Sequence, residues 1–182
     1  MKFVSRAGEK LEHAIQTFAV GVENFVCADF GSNTGGFVDC LLSHDAQKVY
    51  AVETGYGVVD WKLRNDERVI LMERTNAMHV SLPEKMDLIT VDTSWTRLEN
   101  ILPNALQNLK PDGKIIALVK PHYEAEAKQI SKGKLADEFI PEVLENVKNK
   151  IKNLGFEILA ETESPIVGEK RKNREFLFLL KK

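Results

Sequence analysis

Residues 25–37 read Phe25-Val26-Cys27-Ala28-Asp29-Phe30-Gly31-Ser32-Asn33-Thr34-Gly35-Gly36-Phe37. An apolar strand runs into a glycine-rich turn, and the turn opens a helix. The turn puts Gly31, Gly35 and Gly36 where a Cβ would block close approach or where φ must be positive. Bare backbone at a strand end lets a flat molecule lie against the chain. The spacing narrows the choice of molecule. It is not G-x-G-x-x-G, so a dinucleotide pyrophosphate fits poorly. It is not G-x-x-x-x-G-K-[ST] either, which disfavours a triphosphate. A plain strand-to-helix turn without a ligand is the competing reading of this motif alone.

An acid at the end of the strand, followed by a glycine turn, suits the cationic nucleoside S-adenosylmethionine. Glu53 lies 24 residues after Asp29 and ends a second strand. A carboxylate there can accept both hydroxyls of a ribose, the physics that dinucleotide folds also use. The alternative is a solvated strand-end acid. Asn76, after the third strand, can hydrogen-bond an adenine edge or simply form a turn. The cofactor candidates are therefore Asp29, Gly31, Ser32, Asn33, Thr34, Gly35, Gly36 and Phe37 in the turn, with Glu53, Asn76 and the strand-end Asp92.

Working outward, strands and helices alternate from residue 25. Strands are expected at 25–30, 48–53, 68–72, 86–92, 114–120, 155–162 and 174–181. Residues 48–53 and 114–120 are short, near-continuous apolar runs, as in strands buried on both faces of a parallel sheet. Leu98, Ile101, Leu102, Ala105, Leu106 and Leu109 make a helical stripe, which Pro111-Asp112-Gly113 should end with a turn. A long helix is expected over 136–154, closed by Gly155. Leu11, Ala14, Ile15 and Phe18 mark an N-terminal helix over 5–18, with Ser5 as its N-cap. The whole predicts one doubly wound α/β domain with an N-terminal helical extension over residues 1–20. The polar connection 163–173 holds no helical pattern, so the last strand should be antiparallel. In such sheets ligands sit at the carboxyl ends of the strands. Asp29, Glu53, Asp92 and Lys120 all end strands, and Arg74-Thr75-Asn76-Ala77 follows another.

The 182 residues are enough for one sizeable core. With 43% hydrophobic and 29% charged residues, the chain reads as an ordinary globular protein. A net charge of −2 argues against a surface that grips nucleic acid all over, so any RNA contact must use a local patch. Cys27 and Cys40 fit no zinc spacing and read as core thiols in a reducing cytosol, so no metal is expected. No signal peptide or membrane-length apolar run is visible, and the expected location is cytoplasmic.

Eight segments, in order, resemble the haemolysin A (TlyA) family of FtsJ-like RNA 2′-O-methyltransferases. They are Ser5-Arg-Ala-Gly-Glu-Lys-Leu-Glu12, the Asp29–Phe37 turn, Val49–Gly57, Trp61-Lys-Leu-Arg64, Glu73-Arg-Thr-Asn-Ala77, Val91-Asp92, Leu118-Val-Lys-Pro121 and Asn173-Arg-Glu-Phe176. The resemblance implies a Rossmann-like S-adenosylmethionine-dependent methyltransferase fold with a mixed seven-stranded sheet. It also implies a Lys-Asp-Lys-Glu tetrad, which matches Lys10, Asp92, Lys120 and Glu175. The expected activity is 2′-O-methylation of RNA, with ribosomal RNA as the partner. Lys120 would take or steer the 2′-hydroxyl proton and Asp92 would orient it. Lys10 and Glu175 would tune the pair, since neighbouring lysines lower each other's pKa and carboxylates raise it. Arg6, Lys62, Arg64 and the run Lys170-Arg171-Lys172-Asn173-Arg174 are the candidate phosphate contacts.

The chain departs from the family pattern in four places. Family members usually carry an N-terminal S4-type RNA-binding domain, and this chain begins almost at the Ser-Arg-x-Gly stretch. Asn33 replaces a serine in the glycine turn. Thr93-Ser94-Trp95 replaces Val-Ser-Phe, and Pro121-His122-Tyr123-Glu124 replaces Pro-Gln-Phe-Glu. Trp95 and Tyr123 either stack a base or pack in the core. Two other function classes stay in view at this stage: a binding protein that keeps the fold without catalysis, and a methyltransferase with a non-RNA substrate. A Rossmann oxidoreductase is disfavoured by the missing G-x-G-x-x-G.

Overall fold

The computed structural model describes residues 2–169 and 171–182. Its elements are α1 (Ala7–Thr17), β1 (Val26–Phe30), α2 (Gly36–Ser43), β2 (Lys48–Val52), α3 (Trp61–Arg64), β3 (Val69–Met72), β4 (Met86–Val91), α4 (Leu98–Asn108), β5 (Leu109–Val119), α5 (Pro121–Glu124), the hairpin β6 (Ile130–Ser131) and β7 (Lys134–Leu135), α6 (Ile140–Asn153), β8 (Glu157–Glu163) and β9 (Phe176–Lys181). The main sheet has seven strands in the order β3-β2-β1-β4-β5-β9-β8. β1 to β5 run parallel, and β9 pairs antiparallel with both β5 and β8. The strand order reverses between β1 and β4, which puts the switch point directly beyond the glycine turn.

The apolar strands are buried because both faces are covered. Leu11, Ala14 and Ile15 of α1 and Val38 and Leu41 of α2 pack on one face. Leu98, Ile101, Leu102 and Ala105 of α4, with Val147 and Ile151 of α6, pack on the other. β8 is an edge strand, and its exposed and half-buried residues alternate along its length. That alternation explains why its sequence pattern is weaker than that of β1 or β5.

Three local expectations are corrected. Ser5 does not cap α1: Arg6 holds the N-cap position, and no side chain caps the helix there. Ser5 instead packs its Oγ against the Gly36 backbone. Pro111-Asp112-Gly113 does not end α4. Leu109 is already extended, and β5 pairs Met86 with Leu109 and then Leu88 with Lys114, so the three residues sit in a bulge of the strand. The helix stops at Asn108, whose side chain ties the helix end to the backbone of Val80 and Leu82. The hairpin β6–β7 was not expected at all, since two-residue strands leave no periodic trace.

The glycine turn has a packing reason of its own. Gly31 has φ 90° and Gly35 φ 102°, both in the region that penalises a Cβ. A Cβ at Gly31 would lie 2.6 Å from the Asp92 carbonyl oxygen. A Cβ at Gly35 would collide with Leu63, and one at Gly36 with Ser5, Ala7 and Gly8. The close approach thus serves α1 and α3 as well as any ligand. Gly31→Ala should lower stability by about 1–3 kcal/mol. Thermal unfolding followed by circular dichroism checks this, and an unchanged midpoint would show that the turn relaxes freely.

Candidate active site

Register brings the four charged candidates together. Val91 pairs with Ala117 in the parallel β4–β5 ladder, so Asp92 and Lys120 leave the same end of adjacent strands. Val119 pairs with Phe176 across the antiparallel β5–β9 ladder. Continuing that register by one residue sets Lys120 opposite Glu175. Lys10 arrives from α1, off its apolar stripe, and its Nζ lies 2.6 Å from Glu175 Oε2. Lys120 Nζ lies 2.5 Å from Asp92 Oδ1. This second contact is an ion pair without hydrogen-bond alignment, and Asp92 Oδ1 accepts no hydrogen bond from any described residue. Lys120 also donates to the Thr93 carbonyl at 3.5 Å.

The electrostatics differ from the expectation of mutually suppressed lysines. Burial by itself would depress the Lys120 pKa, but the carboxylates of Asp92 and Glu175 outweigh it and hold the pKa above the ordinary lysine value. Lys120 is therefore an ammonium in this arrangement and has no lone pair to take a proton. His122 is the opposite case. Burial and the Lys120 charge push it down to about 4, so it is a neutral imidazole at physiological pH. Its Nδ1 is buried without a partner among the described residues.

The cofactor candidates fall into two groups. Asn33, Thr34, Glu53 and Asn76 keep exposed or half-buried side chains on the turn. Glu53 folds over the turn and accepts from the backbone N–H of Asn33 and of Gly55, both at 2.7 Å. Oε1 also accepts from the Thr54 hydroxyl at 3.2 Å, so Oε2 is the oxygen that keeps a lone pair for a ligand hydroxyl. Asn76 forms an Asx turn, its Oδ1 accepting from Met78 N–H, and its amide NH₂ remains for a ligand. The other group lies beneath the surface. Asp29 is 1% exposed, so its carboxylate supports the floor of the turn rather than lining it. Ser32 is buried and donates to the Asp29 carbonyl. Phe37 is a core side chain, and only its backbone can face a ligand. These three side chains point inward: Asp29 to Thr90, Ser32 to the Asp29 carbonyl and Phe37 into the core.

Thr90 was passed over by sequence reasoning, and Asn173 and Trp95 take roles that spacing left open. Thr90 donates to Asp29 Oδ1 at 2.7 Å, while Asp29 Oδ2 is an orphaned buried acceptor. Asn173 binds the backbone of Gly133 and Leu135, pinning the segment before Glu175 to the β6–β7 hairpin. Trp95 sits at φ 67° and is 84% exposed, with its ring centroid 5.4 Å from that of Tyr123. The core reading of Trp95 is thus excluded. Among the expected phosphate contacts, Arg64 is held by Glu73 and Arg174 by Glu163, each through two hydrogen bonds. Lys62 pairs with Asp39. Arg6, Arg171 and Lys172 are exposed. Lys170 lies outside the described residues.

The family model of the FtsJ-like methyltransferases matches residues 3–182. The chain belongs to the FtsJ-like methyltransferase family. Hemolysin A of Brachyspira hyodysenteriae is 42% identical over 183 residues, a match that takes in 97% of this chain and 76% of that protein. A Mycobacterium tuberculosis protein named 16S/23S rRNA (cytidine-2′-O)-methyltransferase TlyA is 35% identical, over 97% of this chain and 68% of that one. The solved structure of a Streptococcus thermophilus protein assigned as a hemolysin aligns with TM-score 0.96 and 37% identity, over all of this chain and 68% of that one. A Listeria monocytogenes protein assigned as an S-adenosylmethionine-dependent methyltransferase shares the fold at TM-score 0.71 and 16% identity, over 97% of both chains. The resemblance to haemolysin A proteins and the methyltransferase fold are both borne out. No helix among the described residues is long and apolar enough to cross a membrane.

The residues on the turn fit an adenosylmethionine-type cofactor. The bare glycines, the Glu53 carboxylate and the amides of Asn33 and Asn76 match ribose and adenine.

The orphaned acid generates its own prediction. Burial lifts the Asp29 pKa from 3.8 to about 7, with the nearby Asp92 and Glu53 charges adding and the Thr90 and Ser32 hydrogen bonds opposing. An acid whose pKa is raised by folding stabilises the folded state fully below its unfolded pKa. That stabilisation is lost as pH rises to about 7. Asp29→Asn should remove this dependence and exceed the wild type at pH 8 by up to about 4 kcal/mol relative to pH 4. Parallel denaturant titrations at the two pH values measure it, and parallel pH profiles would refute it.

Proposed function

We propose that this methyltransferase transfers a methyl group from S-adenosylmethionine to a ribose 2′-hydroxyl of RNA, with ribosomal RNA as the substrate class. One observation carries the reading: Lys10–Glu175 and Lys120–Asp92 form two ion pairs where β4 and β5 end and β9 begins, along the same sheet edge as the glycine turn. The tetrad has the residue types expected of the family's RNA methyltransferases. The TlyA relatives, named as rRNA (cytidine-2′-O)-methyltransferases, support the same reaction.

The bound cofactor supplies an electrophilic methyl on a sulfonium, and the protein's part is alignment and proton management. As an ammonium, Lys120 donates a hydrogen bond to the 2′-oxygen and steers its other lone pair toward the methyl carbon. The hydroxyl proton becomes strongly acidic as the new O–C bond forms, so a strong base is not required. The Asp92 carboxylate, half-buried with Oδ1 turned in against Lys120, is the acceptor for that proton through its other oxygen. Glu175 keeps Lys120 charged, and Lys10 balances Glu175 so that its buried charge is not left alone. Trp95, exposed beside Tyr123, offers a stacking face for a base. Arg6, Arg171 and Lys172 offer phosphate contacts.

Single-turnover methylation of ribosomal subunits and of naked RNA, read beside calorimetric binding of S-adenosylmethionine, tests the assignment. Lys120→Ala should slow transfer by about 10²–10⁴-fold with cofactor affinity nearly unchanged. Lys120→Arg should transfer at least about tenfold faster than the alanine variant, because it keeps the charge. Equal loss in both would return Lys120 to the role of base, and full activity in the alanine variant would remove it from the reaction. Raising salt should weaken RNA binding steeply. A flat response would count against RNA as the substrate.

A further inference from the structure

Away from the proposed active site, three metal-ligating atoms meet between α1 and α2. Glu12 Oε2 lies 2.9 Å from His44 Nε2 and 3.7 Å from Cys40 Sγ. All three atoms lie within 4.8 Å of one another. Cys40 and His44 are four residues apart, so the last turn of α2 and its C-cap put them on one side. Glu12 comes from α1, one of the helices packed on the same face of the sheet.

The carboxylate is held in a set orientation. Glu12 Oε1 accepts from Lys2 Nζ at 2.9 Å and from Gln16 Nε2 at 2.7 Å. Those donors occupy one oxygen and leave Oε2 facing the thiol and the imidazole. Outer hydrogen bonds of this kind are what orient metal ligands. Cys40 is buried, while Glu12 and His44 are half-buried, so the cluster has a deep side and a solvent side. An ion can enter from the latter.

We propose that Glu12, Cys40 and His44 form a binding site for a zinc-class divalent ion, with water as the fourth ligand. One sulfur, one nitrogen and one oxygen match a borderline ion and exclude magnesium and calcium, which require oxygen. On binding, the Cys40 S–H bond breaks, its proton passes to solvent and an S–Zn bond forms. His44 gives up the Nε2 proton that it shares with Glu12, taking the Nδ1–H tautomer, and offers the freed Nε2 lone pair while Glu12 gives Oε2, with no change of oxidation state. The ion ties α1, which carries Lys10, to α2, which opens from the glycine turn. It acts as a brace and takes no part in methyl transfer.

Cobalt(II) titration of the chelator-stripped full chain tests the site without reference to activity. One equivalent should bind and produce a sulfur-to-cobalt charge-transfer band that zinc abolishes. Cys40→Ser should lose the band. Glu12→Gln and His44→Ala should each weaken binding at least about tenfold, and the exposed-histidine control His79→Ala should not. Absence of stoichiometric binding or of the band in the wild type overturns the proposal. So does a band that survives Cys40→Ser, or wild-type affinity in both Glu12→Gln and His44→Ala, which would mean an adventitious ion only. If Cys40→Ser does not fold, the two half-exposed variants decide the question by themselves.

Discussion

The Lys10–Glu175 ion pair joins the two ends of the chain, across 165 positions of sequence. Its lysine is 12% exposed and its glutamate 4%. A charge so far out of water is costly unless it is paired, and removing either partner strands the other. The pairing therefore requires α1 to lie on the sheet and β9 to enter beside β5. Gly36 and Gly8 permit the first condition, since a side chain at Gly36 would push α1 away. The antiparallel register of β9 permits the second.

From that pair the charges form a chain. Glu175 acts on Lys120, and Lys120 contacts Asp92. Alternating signs let four ionisable groups share a half-buried corner, and they keep Lys120 protonated. Two lysines without interposed acids would do the reverse. The arrangement favours a steering ammonium over a free amine, a distinction that residue types alone do not make.

The strand-end charged residues were legible because a parallel sheet collects its strand ends at one edge, and apolar runs announce where those ends fall. Lys120 and Asp92 belong to that class. Lys10 and Glu175 became readable only through the ordered motifs of a family. What stayed hidden has a common cause. Asp29 reads as a ligand contact, yet the turn directs it inward to Thr90. Phe37 follows two glycines but packs in the core. Arg64 and Arg174 read as phosphate contacts, yet each is spent on a glutamate. Sequence spacing carries no information on which way a side chain turns or which partner reaches it first.

The amino-acid sequence by itself determined the alternation of elements, the glycine turn and the antiparallel last strand. These follow from local periodicity and from backbone freedom, which are properties of neighbours along the chain. Only the tertiary structure decided the protonation state of Lys120, the burial of Asp29 and the exposure of Trp95. It also decided the meeting of Glu12 with Cys40 and His44. Each of these depends on distances between residues remote in sequence, where a few ångströms decide whether a charge is paired, desolvated or free.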